Sequence, residues 1–174
     1  LTILEGHLTG MLNGVRGYEN HTEYMERSLA VVDRMEKLVK ELLYVSKAEG
    51  TQKSKYKIVD FAEVFRVQIA AVSDLLEEKK QHIEVNIPDR LYCEVEQVQM
   101  ERAIQNILVN AIRYSPSNEL IRVTLAEIHG TIRGEIENTG VHVSGDAIPH
   151  LFEAFYRADA SRNRNTGGTG LGLY

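Results

Sequence analysis

The chain has no tryptophan, one cysteine, three prolines and no surplus of positive charge. Each shortage excludes something. A single cysteine, Cys93, rules out an internal disulfide, and its place in the alternating run 91–95 reads as a packed strand thiol in a reducing compartment. Twenty basic against 25 acidic residues give a net charge of −5, which argues against nucleic acid as the main partner, because a phosphate-backbone binder carries a basic face. Apolar runs extend for only a few residues, far below the roughly 20 that span a bilayer, so no membrane contact is expected of this segment itself. No charged stretch leads into an apolar one in the manner of a secretory signal.

What is present is helix-forming pattern first and alternation afterwards. Leu1, Leu4, Leu8, Met11 and Val15 step by three and four, which predicts a first amphipathic helix that Gly17 and the polar run to Thr22 interrupt. A longer helix follows. Met25, Leu29, Val32, Met35, Val39 and Leu42 form one stripe, with Val31, Leu38 and Val45 beside it, and Glu23/Arg27, Asp33/Lys37 and Glu36/Lys40 are spaced for ion pairs on the outer side. This apolar surface is too wide for one partner helix, so the hairpin is expected either to pair with a second copy as a four-helix bundle or to pack on the rest of the chain.

Residues 50–55, Gly-Thr-Gln-Lys-Ser-Lys, are small and polar and read as a linker between a domain at 1–49 and one at 56–174. Beyond them, 56–59 reads as a strand, and Asp60 with Glu63 has capping-box spacing before a helix carrying Phe61, Phe65, Val72 and Leu75. Ile83, Val85 and Ile87 alternate, Pro88-Asp89 turns, and 91–95 alternates again. A helix over 96–114 ends at Ser115-Pro116, and Ile121, Val123, Leu125, then Ile132, Gly134 and Ile136, read as a hairpin about His129-Gly130. This order predicts an α+β sandwich, one sheet with helices on one face.

The helix over 96–114 carries the first chemical signal. Ile104, Ile107, Leu108, Ala111 and Ile112 share one face, and Arg102, Asn106, Asn110 and Arg113 the other. Asparagine is a poor helix former, so two of them one turn apart beside arginine point to ligand contacts: amide oxygens for a hard cation such as Mg²⁺, guanidinium for phosphate. An ordinary solvated face is the competing reading. The glycines of Gly168-Thr169-Gly170-Leu171-Gly172 match neither a P-loop, which ends in Gly-Lys-Ser/Thr, nor a dinucleotide fingerprint. Bare N–H groups there would still suit an anion, and a flexible tail is the alternative. The aromatic cluster in 151–157 reads by spacing as core.

Taken in order, these segments resemble the sensor histidine kinases of bacterial two-component systems. Asn106-Ile-Leu-Val-Asn110-Ala-Ile-Arg113-Tyr114-Ser115 is similar to their N box, Asn138-Thr139-Gly140 to their G1 box, Phe152-Glu-Ala-Phe155-Tyr156-Arg157 to their F box, and Gly168-Thr169-Gly170-Leu171-Gly172-Leu173 to their G2 box. The wording of the boxes resembles Gram-positive sensor kinases of the vancomycin-resistance type. The resemblance implies a dimerisation and phosphotransfer hairpin followed by an α/β sandwich of the GHKL (Bergerat) type that binds ATP and Mg²⁺. It implies Asn110 at the metal and Asn106 near the γ-phosphate as the catalytic position. It also implies Arg113 toward phosphate, Tyr114 and Val143 near the adenosine, Asn138 reading the adenine amine, and Gly140 admitting the base. Residues 158–166 would form a lid, and Gly168, Thr169, Gly170, Leu171, Gly172 and Leu173 would meet the phosphates. The implied partners are a second copy and a response regulator, and the implied setting is the cytoplasmic part of a membrane-anchored protein.

Three departures stand out. The family has aspartate where Asn138 stands, which implies weaker adenine selectivity; His142 replaces a second glycine and reads as a surface residue; and no phosphoacceptor histidine motif is present, since His7 is followed by Leu8-Thr9-Gly10. The chain is therefore expected to be cut at both ends. A dimeric signalling scaffold with a decayed ATP site is the alternative function.

Overall fold

A computed structural model describes residues 1–48, 56–157 and 170–173. The linker 50–55 and the expected lid 158–166 lie outside the described residues. The chain divides into two compact units, Leu1–Gln52 and Lys53–Tyr174.

The first unit is a helical hairpin, α1 over Thr2–Leu12 and α2 over His21–Ala48. Asn20 starts α2: its Oδ1 accepts from the N–H of Glu23 (3.3 Å) and its amide donates back to the Glu23 carboxylate (3.2 Å). The first bond is an N-cap; the second joins the two side chains, so the Asn20 backbone N–H is not the partner that a full capping box would use. At the loop end the Tyr18 ring lies over Gly10, where a Cβ would come within 2.8 Å of it, and Tyr18 stacks on Tyr24 with centroids 4.3 Å apart. Ser28 is buried there, donating to the Tyr24 carbonyl (2.7 Å) with His7 Nδ1 3.3 Å from its hydroxyl. Arg27 pairs with Glu23, and Lys40 with Glu36, as the spacing predicts; the Lys37 side chain lies outside the described residues. Met25, Leu29, Val32, Val39 and Leu42 are all exposed, so the hairpin leaves its apolar stripe bare.

The second unit runs β1 (Lys57–Asp60), α3 (Phe61–Ala70), α4 (Ser73–Glu78), β2 (His82–Asn86), β3 (Tyr92–Val95), α5 (Gln97–Tyr114), β4 (Leu120–Ile128) and β5 (Thr131–Asn138), then a 3₁₀ turn at Ile148–His150. The strands do not form the single sheet expected from their order. β1 and β3 make an antiparallel pair, while β2 lies parallel to β4 and β4 antiparallel to β5. Pro88-Asp89 therefore sends the chain away from β2 rather than back along it. Arg66 of α3 holds that bend, donating to the carbonyls of Pro88 and Asp89 at 2.7 Å each.

The capping box expected at Asp60 and Glu63 does not form. Glu63 pairs with Arg66, and Asp60 Oδ1 accepts from the Leu91 N–H at 3.1 Å, tying β1 to β3. The helix expected to run on to Leu75 breaks at Ala71-Val72 into α3 and α4.

Helices cover one face of the sheet. Phe61, Val64, Phe65, Val72 and Leu76 from α3 and its continuation, Ile104, Leu108, Ala111 and Ile112 from α5, and Ile121, Val123 and Leu125 from β4 form the core. Phe65 fits where β5 has no side chain, since a Cβ on Gly134 would lie 2.8 Å from its ring. Cys93 is half-buried against this core, and burial pushes its thiol pKa up. The other sheet face is polar, with Arg122 bridging Glu84 and Glu137 across three strands. His129 and Gly130 both have positive φ (53° and 77°), which suits the tight turn joining β4 to β5.

Ile107 departs from the expected core face and is 43% exposed. The reason is geometric: at 100° per residue it lies about 60° from Ile104 toward Asn110, at the edge of the buried arc. Leu108→Ala, with its side chain wholly buried, is expected to cost about 2–5 kcal/mol in denaturant unfolding, and Ile107→Ala less than about 1 kcal/mol. Similar losses at both positions would contradict this placement of α5.

The Leu91 N–H holds the Asp60 carboxyl below its ordinary value. A depressed folded-state pKa gives stability that is present above the unfolded value, about 3.9, and is lost as pH falls through the folded one. Unfolding midpoints of Asp60→Asn measured from pH 2 to 6 are accordingly expected to fall less steeply below about pH 4 than those of the parent.

Candidate nucleotide site

α5 is set at both ends by side chains. Glu96 caps its start, accepting from the Gln99 N–H at 2.7 Å. At its other end the backbone of Ser115 turns extended ahead of Pro116, which strands the last carbonyls of the helix. Lys79 and Gln81 collect them. The Lys79 ammonium donates to the carbonyls of Ile112, Arg113 and Ser115 at 2.5–2.9 Å, and the Gln81 amide to those of Ile112, Ser115 and Pro116 at 2.9–3.0 Å. Burial, and then the nearby Arg113 charge, hold the Lys79 pKa below its ordinary value.

This clamp fixes the polar face of α5. Asn106, Asn110 and Arg113 are half-buried, and neither asparagine amide hydrogen-bonds to another described residue. Tyr114 is half-exposed at the end of the same helix. One residue further, Ser115 is 1% exposed; its hydroxyl donates to the Ala111 carbonyl (2.9 Å) and accepts from Asn138 Nδ2 (2.9 Å). Asn138 reaches it because β5 pairs Asn138 with buried Ile121, which turns its side chain to the helix side of the sheet.

After Asn138 the chain leaves the sheet. Thr139 Oγ1 accepts from the Leu120 N–H (3.0 Å) and donates to Glu119. Gly140 has φ +78°, which favours glycine, and a Cβ there would stand 2.6 Å from the Glu119 carboxyl carbon and displace that side chain. Val143 and His142 are exposed.

The glycine-rich segment comes to the same helix. A Cβ on Gly172 would lie 3.7 Å from Asn110 Nδ2, which puts the backbone of Gly172 beside the Asn110 amide, and Leu171 is buried. Gly170 (φ +75°) accepts from the Phe155 N–H at 2.9 Å, and any side chain there would strike the Phe155 backbone. Leu173 is half-buried; Gly168 and Thr169 lie outside the described residues. The aromatic cluster is not core, as its spacing had implied. Phe152 and Phe155 are 68% and 58% exposed, because the segment is a series of turns with no periodic face to bury.

Among the described residues no group of three His, Cys, Asp or Glu side chains could hold a metal. A lone amide such as Asn110 fits Mg²⁺ only where phosphates and water supply its other ligands, which is how this ion usually binds. Lys79, Gln81, Ser115 and Glu119 were not visible as site-shaping residues from spacing. Serine before proline at a helix end was the one signal, and it reads first as a helix stop.

Residues 95–174 match the family described as histidine kinase-, DNA gyrase B-, and HSP90-like ATPase. The chain is 28% identical to sensor protein VanSB of Enterococcus faecalis over 95% of its length, and 28% identical to sensor histidine kinase CusS of Escherichia coli over 93%. It spans 37% and 34% of those proteins, and the equal identities do not separate a vancomycin-resistance type from others. Among solved structures it is similar in fold to Acinetobacter baumannii histidine kinase AdeS (TM-score 0.75, 24% identity, 99% of this chain and 79% of that one). It is also similar to full-length ShkA in complex with AMPPNP (0.71, 22%, 99% and 36%) and to histidine kinase ThkA in complex with response regulator TrrA (0.71, 19%, 90% and 46%).

Lys79→Met removes the donor to three carbonyls at once. Expected are a loss of about 1–3 kcal/mol in denaturant unfolding and faster amide hydrogen exchange at 112–118, with β1 and β3 unchanged.

Proposed function

We propose that this chain is the nucleotide-binding and dimerising core of a two-component sensor histidine kinase, which transfers the γ-phosphoryl of Mg-ATP to a histidine and thence to a response-regulator aspartate; the ATPase-family match over residues 95–174 and the 28% identity to VanSB support this reading. The observation that carries this reading is the meeting of three segments at one helix: the uncommitted amides of Asn106 and Asn110, the backbone of Gly172 beside Asn110, and Asn138 anchored at the end of α5.

Bound Mg-ATP supplies the transferable group and the neutralisation of its charge. Asn110 would hold the metal through its amide oxygen, and Asn106, one turn earlier, would stand near the γ-phosphate. Arg113 faces phosphate oxygens. In the described part of the glycine-rich segment, the N–H groups of Gly170 and Gly172 would face the phosphates, where the missing side chains allow close approach. Tyr114 and Val143 flank the adenosine, Gly140 admits the base, and Asn138 accepts from its amine. Catalysis rests on positioning and electrostatics, since phosphoryl transfer asks for little covalent help from the protein.

Residues 1–49 form a homodimeric four-helix bundle, supported by the exposed stripe Met25, Leu29, Val32, Val39 and Leu42. A receiver domain is the second partner, as TrrA is for ThkA. No helix among the described residues is long and apolar enough to cross a membrane.

Full-length protein incubated with γ-labelled ATP is expected to take up label that is acid-labile and base-stable, and Asn110→Ala to lower the rate by roughly 100-fold. A folded, dimeric protein that takes up no label would replace the kinase by a signalling scaffold with a decayed site.

A further inference from the structure

We propose that Ser115 sets the base preference of the nucleotide site, by holding the Asn138 amide with its NH₂ group inward and its carbonyl oxygen outward, so that a 6-amino purine is accepted over a 6-oxo purine. The inference deepens the nucleotide-site reading and rests on it.

An asparagine at the base-reading position is ambiguous in a way that aspartate is not. A carboxylate offers only acceptors. A carboxamide offers an acceptor from Oδ1 or donors from Nδ2, and a half-turn about its last bond exchanges them. Outward Oδ1 would accept from the 6-amino group of adenine, whereas outward Nδ2 would donate to the 6-oxo group of hypoxanthine or guanine. Selectivity therefore depends on what fixes that half-turn.

Ser115 fixes it. The hydroxyl has one hydrogen, and it is committed to the Ala111 carbonyl at 2.9 Å. Toward Asn138 the oxygen can then act only as an acceptor, and Nδ2 sits 2.9 Å from it. A flipped amide would set two oxygens against each other or take the hydroxyl from Ala111.

Ser115 has little freedom to adjust. Its N–H also donates to Ala111 (3.1 Å), its carbonyl takes Lys79 Nζ and Gln81 Nε2, and its side chain is 1% exposed. Asn138 itself is held at the end of β5 opposite Ile121. Its Oδ1 has no partner among the described residues, and the one buried unpartnered side-chain atom among them is Gln81 Oε1, so Asn138 Oδ1 is open to a ligand.

The test compares affinities for ATP and inosine triphosphate, which differ at the 6-position and N1, by isothermal titration in Mg²⁺ with the full chain. The parent is expected to prefer ATP. In Ser115→Ala the ATP:ITP ratio should shrink by roughly three- to tenfold, since the amide can then turn either way. Ser115→Thr, which keeps the hydroxyl, should retain the parent ratio, and Ser115→Cys, whose sulfur is a weak acceptor, should fall between. Asn138→Asp has no donor to orient, so adding Ser115→Ala to it should leave its ratio unchanged.

A merely structural Ser115 would weaken both nucleotides equally, and that result, an unchanged ratio in Ser115→Ala, or a parent that binds ITP as well as ATP would overturn the inference while the nucleotide site stands. A folded parent that binds neither nucleotide would remove the nucleotide-site reading and this inference together. Should Ser115→Ala fail to fold, the cysteine and threonine variants give the same comparison.

Discussion

The placement of the candidate site depends on how the C-terminal end of α5 is closed. A helix that stops at a residue before proline leaves carbonyls facing outward, and these carry the negative end of the helix dipole. In this chain an ammonium and an amide from the turn after α4 fill that role together, six donations to four carbonyls. Partial burial and the Arg113 charge lower the Lys79 pKa, but three carbonyl partners at a helix end oppose loss of its proton. The clamp joins the segment before β2 to the helix that carries Asn106, Asn110 and Arg113. It also freezes Ser115, through which the order passes to Asn138 on β5.

Elements with a strong local period were legible. The buried arc of α5, the alternation of β4 and the hairpin at His129-Gly130 each follow from one repeating constraint, and the structure keeps them. Pairing was less legible, because alternation says that a segment is a strand and not which strand it meets; β2 and β3 are neighbours in sequence and join different sheets. The spacing of Asp60 and Glu63 matched a capping box, yet a stronger tertiary claim, the Leu91 N–H, takes the Asp60 carboxylate. At Asn20, where no rival donor intervenes, the side-chain oxygen does cap its helix, accepting from the Glu23 N–H.

Within the site, residues that act by contrast with their surroundings were readable and those that act by support were not. Asparagines on a helix face and glycines in a cluster are unusual enough to be noticed. A lysine and a glutamine near a turn are ordinary, and their role depends on carbonyls more than thirty residues away. The exposed Phe152 and Phe155 illustrate the opposite error. Aromatic content suggests core, but a run of turns offers no common face, so composition without periodicity does not predict burial.

The charge arrangement favours an anionic ligand despite the acid balance of the chain. The polar face of α5 presents two neutral amides and an arginine, and Lys79 lies within electrostatic reach of that arginine. Of the acidic residues of the three-stranded sheet, Glu84 and Glu137 lie on the side away from the helices, where Arg122 pairs them. A carboxylate at Asn106 or Asn110 would add repulsion against phosphates, or require a second cation to offset it. Amides bring acceptor oxygens without that charge, at the loss of a defined direction at Asn138. A fixed neighbour such as Ser115, the least exposed of the buried polar residues among those described, restores that direction.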